Sequence, residues 1–380
     1  MAFTQRILKI EVKLTMKVGI DISAVIYGTG VSIYTKNLVE NLLEIDQNNE
    51  YQLFFSSLRQ NIRDWRQEIR DRGQKYNICR IPPTGLDILW NKLHIVPVEW
   101  LVGETDVFHC SDWTQPPAKK AKLITTIHDL SFLRWPETAH PKVVAAQKNR
   151  LKWVEKEADA VIAISEATKK EIIELTEIPE DKITVIYEGL PTDVGNFQFS
   201  KVKEKYNIKD KFILAMGSQA PRKNLKRLIK SYELLVTNYE LKNIDLIITG
   251  RYESKDKLPK GVITTGFLDR NELLSLMQKA EVFVYPSLYE GFGLPILEAF
   301  SLETPVVTSN CSSMAEVADN AAVLVEPESV ESISKGIANV LQNRQLRADL
   351  VKKGRKRLKD FSWQKTAKQT LDVYDRVLNI

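Results

Sequence analysis

The chain has 380 residues, 43% hydrophobic and 27% charged, enough for two packed cores and too well mixed for a disordered or collagen-like polymer. No stretch approaches the ~20 apolar residues of a membrane span. Three scattered cysteines (Cys79, Cys110, Cys311) exclude a disulfide-stapled scaffold and fit a reducing, cytoplasmic compartment, while a net charge of +5 without a long Lys/Arg run fits phosphorylated ligands or anionic lipid better than nucleic acid.

Residues 1–15 lack the apolar core of a secretory signal and read as an extra strand or an upstream start, with Met16 directly before the first buried strand. Short β-branched runs then predict strands at Val18–Ile22, Tyr51–Phe55, Asn77–Ile81, Asp106–Cys110, Leu123–Ile127, Ala160–Ile164 and Ile183–Tyr187. Helical periodicity falls between them, at Ser32–Leu43 and Pro141–Glu157. Leu190–Ser200, with Pro191, Gly195 and Asn196, reads as an interdomain linker. The same grammar resumes with strands at Phe212–Met216, Ile244–Thr249, Gly261–Thr265, Val282–Tyr285, Pro305–Thr308 and Ala322–Val325. Helices are expected at Leu225–Val236, Glu272–Lys279, Pro295–Phe300, Ile333–Leu341 and Gln345–Lys359, and after Ser362. Asp269 and Glu272 have capping-box spacing. The expected fold is α/β: two Rossmann-like, doubly wound domains facing a central cleft, residues 1–195 and 196–362, with the last helix, about 363–380, packed back on the first.

In such sheets ligands meet the turns that follow the strands. The first turn holds Gly28-Thr29-Gly30, but Ile33 replaces the third glycine of a dinucleotide fingerprint. His128-Asp129 and His109-Cys110-Ser111-Asp112-Trp113 end two further strands; the four histidines lack zinc-ligand spacing. Gly217-Ser218-Gln219-Ala220-Pro221-Arg222-Lys223-Asn224 sets two adjacent cations at a helix start, an arrangement that suits a diphosphate. The densest signal runs from Glu290 through Gly-Phe-Gly-Leu-Pro to Glu298. Gly291 and Gly293 admit a ligand close to the backbone, and Glu298, one helical turn in, can accept two hydrogen bonds from a vicinal diol.

Glu290 and Glu298, with the turn between them, resemble the signature of the retaining family-4 (group 1) glycosyltransferases of GT-B fold, of the bacterial polysaccharide-biosynthesis type. The resemblance covers nearly the whole chain and is strongest from Gly217 to Pro327. It implies that Glu298 binds the donor ribose, that Glu290 and His128 reach the donor sugar, and that Lys223, with Arg222 second, holds the diphosphate. It also implies sugar contacts from the N–H groups of Phe292, Gly293 and Leu294, and places Gly30 in the cleft opposite the donor. Ser218 stands where many members carry an arginine, which shifts phosphate anchoring toward Lys223 and the backbone.

The implied reaction is retaining hexosyl transfer from a nucleoside diphosphate sugar, UDP-glucose or a related UDP-hexose first and GDP-mannose next, to a glycan or lipid-linked acceptor. The chain has no Asp-x-Asp, so neither metal nor cofactor is expected: fixed cations and helix ends would meet the departing diphosphate. A basic stretch from Lys119 to Lys152, Arg150 included, interspersed with Trp90, Trp100, Trp113 and Trp135, suggests peripheral contact with the inner face of a membrane. The rival classes are a nucleotide-sugar epimerase or phosphorylase-like enzyme, a non-catalytic nucleotide-sugar-binding subunit, and an NAD-dependent oxidoreductase.

Overall fold

The computed structural model describes residues 15–58, 62, 65, 75–110, 112–190, 199–239, 241, 243–252 and 257–379. Two parallel sheets form. The first has seven strands: β1 (Lys17–Asp21), β2 (Glu50–Ser56), β3 (Lys75–Cys79), β4 (Val107–Cys110), β5 (Lys122–Ile127), β6 (Ala160–Ala163) and β7 (Ile183–Val185), in the order β3-β2-β1-β4-β5-β6-β7. The second has six: β8 (Phe212–Met216), β9 (Asp245–Thr249), β10 (Val262–Gly266), β11 (Val282–Tyr285), β12 (Val306–Ser309) and β13 (Val323–Val325), in the order β10-β9-β8-β11-β12-β13. The predicted strands are all present within two residues at either end.

The central strands are apolar on both faces because helices cover both. Val18, Leu53, Phe54, Phe108 and Ile162 in one sheet and Leu214, Ile247, Phe283 and Val307 in the other are fully buried. Burying each such side chain contributes about 1.5–3 kcal/mol. In each sheet the chain starts in the middle, winds outward, then returns to the other side. Strand order therefore reverses between β1 and β4 and between β8 and β11, and a crevice opens beyond the carboxyl ends of those pairs.

Helix ends carry the expected caps. Asp269 accepts from the Glu272 N–H (2.8 Å) and Glu272 reaches back to the Asp269 N–H (3.3 Å) at the start of Arg270–Lys279. The helix Glu166–Leu175, capped by Ser165, was not anticipated. Positions 191–198 of the expected linker lie outside the described residues, as do residues 1–14 and Ser111.

The last helix, Trp363–Leu378, packs against Gly30–Ile45 of the first sheet's layer. The Tyr374 hydroxyl meets His109 Nδ1 (2.7 Å), and Thr366 donates to the Tyr187 carbonyl (2.6 Å). Gly189 makes room for this return, since a Cβ there would collide with the Trp363 backbone and ring. Gly189→Ala is therefore expected to destabilise the protein by about 1–3 kcal/mol, an overpacking cost, read as a lowered Tm.

Candidate functional site

Two turns meet at the crevice of the second sheet. After β8, Asn224 takes a left-handed conformation (φ 59°), and its side-chain amide donates to the carbonyls of Pro286 (2.9 Å) and Pro327 (2.6 Å). The Leu288 N–H donates to the Arg222 carbonyl (2.7 Å). These bonds fasten the β8 turn beneath the β11 turn and aim Arg222 and Lys223 at Glu290. Arg222 lies 3.0 Å from Glu290 Oε2, and Lys223 lies 2.6 Å from Oε1 and 2.8 Å from the Tyr285 hydroxyl.

Burial disfavours the charge on Glu290, but Lys223 and Arg222 outweigh it and hold the carboxyl below its usual range. Burial, aided by Arg222, pulls Lys223 below the ordinary lysine value despite Glu290. The trio is a largely buried cluster with one surplus positive charge, and removing one member of a buried pair costs about 3–5 kcal/mol. Ser312 and Ser313 each donate to the Glu290 carbonyl at 2.8 Å. Gly293 (φ 114°) turns the chain into the helix Leu294–Ser301. Phe292 is buried against Tyr187 and Phe361, so its contribution to a cleft is its backbone. The first-turn N–H groups of a helix have no partner within it.

Glu298 lies in that helix, 4% exposed, with Arg270 Nη1 2.6 Å from its Oε1. Burial raises its titration point, and Arg270 offsets this only in part. A cavity of about 240 Å³ lies at the carboxyl ends of β8 and β9, lined by Gly217, Ser218, Lys223, Gly250, Phe267 and Leu268 among others.

The first domain supplies the opposite wall. His128 follows β5, its ring against Tyr34 (centroids 4.7 Å apart) and its Nδ1 3.4 Å from Glu188 Oε1. Burial lowers its proton affinity, but the Glu188 hydrogen bond and the charges of Asp112, Glu188 and Asp129 outweigh burial and raise it. Gly30 opens the helix Gly30–Ile45 with free space around it, at the crevice beyond β1.

The two walls touch around the turn Tyr289–Gly291 and at Glu316. Gly291 packs so closely on the His128 carbonyl that any Cβ would collide with it. Ser165 and Thr168 donate to the Gly291 carbonyl (2.7 and 3.1 Å). The Leu130 N–H donates to the Tyr289 hydroxyl (2.9 Å), which in turn donates to Glu171 (2.5 Å). Glu316 of the second domain accepts from the N–H groups of Glu166 (2.8 Å) and Ala167 (3.1 Å), at a helix N-terminus that favours negative charge. His128 is thereby set beside the turn that carries Glu290.

Some expectations need correction. His109, at a strand end where a ligand was expected, is buried, with Nδ1 on Tyr374 and Nε2 on Thr126 (2.8 Å), and burial pushes its pKa down to about 3; it ties the last helix to the first sheet. Trp90 and Arg150 are buried and drop out of any membrane-facing surface. Glu188, Arg270, Tyr285 and Tyr289 were not singled out from the sequence; the one available hint was their place beside strand ends or helix starts. Among the described residues no group of three or more His, Cys, Asp or Glu side chains could hold a metal ion.

The chain matches known proteins in family and fold. The family model for glycosyl transferases group 1 matches residues 196–357, and that for glycosyltransferase family 4 matches residues 28–194. The O-antigen chain mannosyltransferase B of Escherichia coli is 31% identical over 279 residues, covering 68% of this chain and 71% of that protein. The O-antigen chain mannosyltransferase RfbU of Salmonella typhimurium is 31% identical over 226 residues, 57% of this chain and 60% of its own. A sucrose-phosphate synthase from Thermosynechococcus elongatus shares the fold over 96% of this chain and 99% of its own, with TM-score 0.70 and 17% identity.

The Glu188–His128 pair makes a pH-dependent prediction. A histidine whose folded-state pKa is raised stabilises the fold below the unfolded pKa of about 6.5, and that contribution disappears as pH rises through the folded value. In NMR titrations the His128 ring is expected to titrate above ~6.5 and to fall in Glu188→Gln. An unchanged titration in the variant contradicts the assignment.

Proposed function

Because the chain belongs to the group 1, family 4 glycosyltransferases, we propose that it transfers a hexose, with retained anomeric configuration, from a nucleoside diphosphate sugar to a glycan or lipid-linked acceptor of extracellular polysaccharide or O-antigen synthesis. The observation that carries this reading is the Glu290 carboxylate held between Arg222 and Lys223 where the second sheet's strand order reverses.

The base enters the cavity beside Lys223, the ribose hydroxyls meet Glu298, and the diphosphate meets Lys223, Arg222 and backbone N–H groups. Glu290, His128 and the N–H groups of Phe292, Gly293 and Leu294 orient the sugar. In the reaction the bond from the anomeric carbon to the leaving phosphate oxygen breaks. A bond to the acceptor oxygen forms on the same face, and the leaving phosphate takes the acceptor proton. Positive charge develops on the sugar and negative charge on the diphosphate. Preorganised cations stabilise the latter without a metal ion, and the carboxylate and cleft dipoles accommodate the former. The acceptor approaches along the first domain past Gly30. In this reading residues 1–195 form the acceptor-side domain and 196–362 the donor-side domain, and closure of the two limits water in the cleft.

Two relatives named as O-antigen chain mannosyltransferases move GDP-mannose ahead of the UDP-hexose expected from sequence. Among the described residues no helix is long and apolar enough to cross a membrane. The enzyme would work in the cytoplasm, where nucleotide sugars are made.

A thermal-shift panel of UDP, GDP, ADP and their hexose conjugates, with EDTA present, should raise Tm for one base only, by mass action. No shift with any of them would overturn the reading in favour of a binding-inert chain, and donor conversion without an acceptor would favour an epimerase. Glu298→Ala should weaken nucleotide affinity by about a hundredfold or more, the cost of two lost charge-assisted hydrogen bonds. In wild type, affinity should fall on acidification from a pH above the usual glutamate range, because burial raises the Glu298 titration point.

A further inference from the structure

Between β3 and β4 the first domain carries a turn that works against its own backbone. His94 (φ 51°) and Val96 (φ 67°) are both left-handed, a strained conformation for any non-glycine and more so for a β-branched one. Two anchors hold it. The buried Trp90 indole donates to the Val96 carbonyl (2.9 Å). The His94 ring stacks on Trp153 at 3.5 Å and bonds the Trp90 carbonyl and Glu157, each at 2.8 Å. With His94 fastened inward, its neighbours are left outside: Leu93 is 58% and Ile95 48% exposed. Trp100, a few residues on, is 65% exposed.

Cations surround these apolar tips. Lys148, Lys152 and Lys156 recur every four residues along one line of the helix Pro141–Glu157, all exposed. Lys92, Lys152 and Lys156 border one surface hollow with Trp153, and Lys119 covers the Trp100 ring at 4.7 Å. Of the nearby carboxylates, Asp87 pairs with Lys92 of this face, while Glu157 is engaged by His94 and Glu99 by the N–H groups of Lys119, Lys120 and Ala121. Among the described residues no carboxylate pairs with Lys119, Lys120, Lys152 or Lys156.

We propose that this face docks on an anionic lipid bilayer, with Leu93, Ile95 and Trp100 entering the headgroup layer and the lysines meeting lipid phosphates. Separate apolar tips among lysines of which Lys119, Lys120, Lys152 and Lys156 have no carboxylate partner complement a charged interface with an apolar layer beneath it. A protein partner would be better served by a continuous apolar patch. The surface is narrower than the sequence suggested: Trp90 is an anchor beneath it, and Arg150 is inside the fold. The inference uses no donor-site residue, and its test needs no sugar nucleotide.

The test is cosedimentation of the full chain with vesicles of phosphatidylcholine alone or mixed with phosphatidylglycerol, at low and high salt. Binding is expected to the anionic vesicles only, and to weaken with salt. Lys152→Glu with Lys156→Glu should weaken it by more than about tenfold, since each surface cation contributes roughly a fivefold factor. Leu93→Ser with Ile95→Ser should also weaken it while the charge is unchanged and, these positions being exposed, Tm is kept. Lys352→Glu with Lys356→Glu, on a helix of the second domain, should bind as wild type. No binding to anionic vesicles overturns the proposal and leaves the face to a protein partner. So does a Leu93/Ile95 variant that binds as wild type, or a second-domain control that loses binding equally.

Discussion

One buried carboxylate organises the crevice of the second sheet. Glu290 would be costly in a dry site alone, and it stays ionised because Arg222 and Lys223 approach it from the neighbouring turn. That requirement orders much else. The left-handed Asn224 and its two bonds to proline carbonyls, the Leu288 N–H on the Arg222 carbonyl and the serines on the Glu290 carbonyl all keep the two turns in register. Parallel winding makes the encounter possible, because only at the reversal of strand order do two strand-end turns face one crevice.

The same turn reaches across to the other domain. Gly291 allows the His128 carbonyl to close against it, and Tyr289 extends between Leu130 and Glu171. At this turn the domains meet through backbone groups, hydroxyls and carboxylates beside two aromatic contacts, Tyr289 on Trp135 and Phe292 on Tyr187. Polar contacts of this kind are individually weak in water, about 0.5–1.5 kcal/mol each, which suits a cleft that must open to exchange ligands. The firmer attachment is the last helix, bound to the first domain through Tyr374 and Thr366 and seated over Gly189.

Much of this was legible in the linear chain, and the reasons can be given by residue. Buried parallel strands are apolar on both faces, so runs such as Phe212–Met216 and Val282–Tyr285 declare themselves. The glycines and prolines around Glu290 and Lys223 mark turns at strand ends, where ligands bind. Partners set by tertiary folding were not legible. Arg270 reaches Glu298 from 28 positions away and Glu188 reaches His128 from 60, and nothing local records either pairing. Burial misled in both directions: His109, at a strand end, is spent on structure, and Trp90 lies beneath the surface that composition assigned it to.

In the function proposed above, Lys223 and Arg222 hold the diphosphate. The direct measurement is calorimetric: the affinities of the matching nucleoside diphosphate and monophosphate for wild type, Lys223→Ala and Arg222→Ala. Wild type is expected to prefer the diphosphate, and this preference to collapse in Lys223→Ala and in part in Arg222→Ala, while monophosphate affinity holds because ribose and base are bound elsewhere. An undiminished preference in both variants would contradict it.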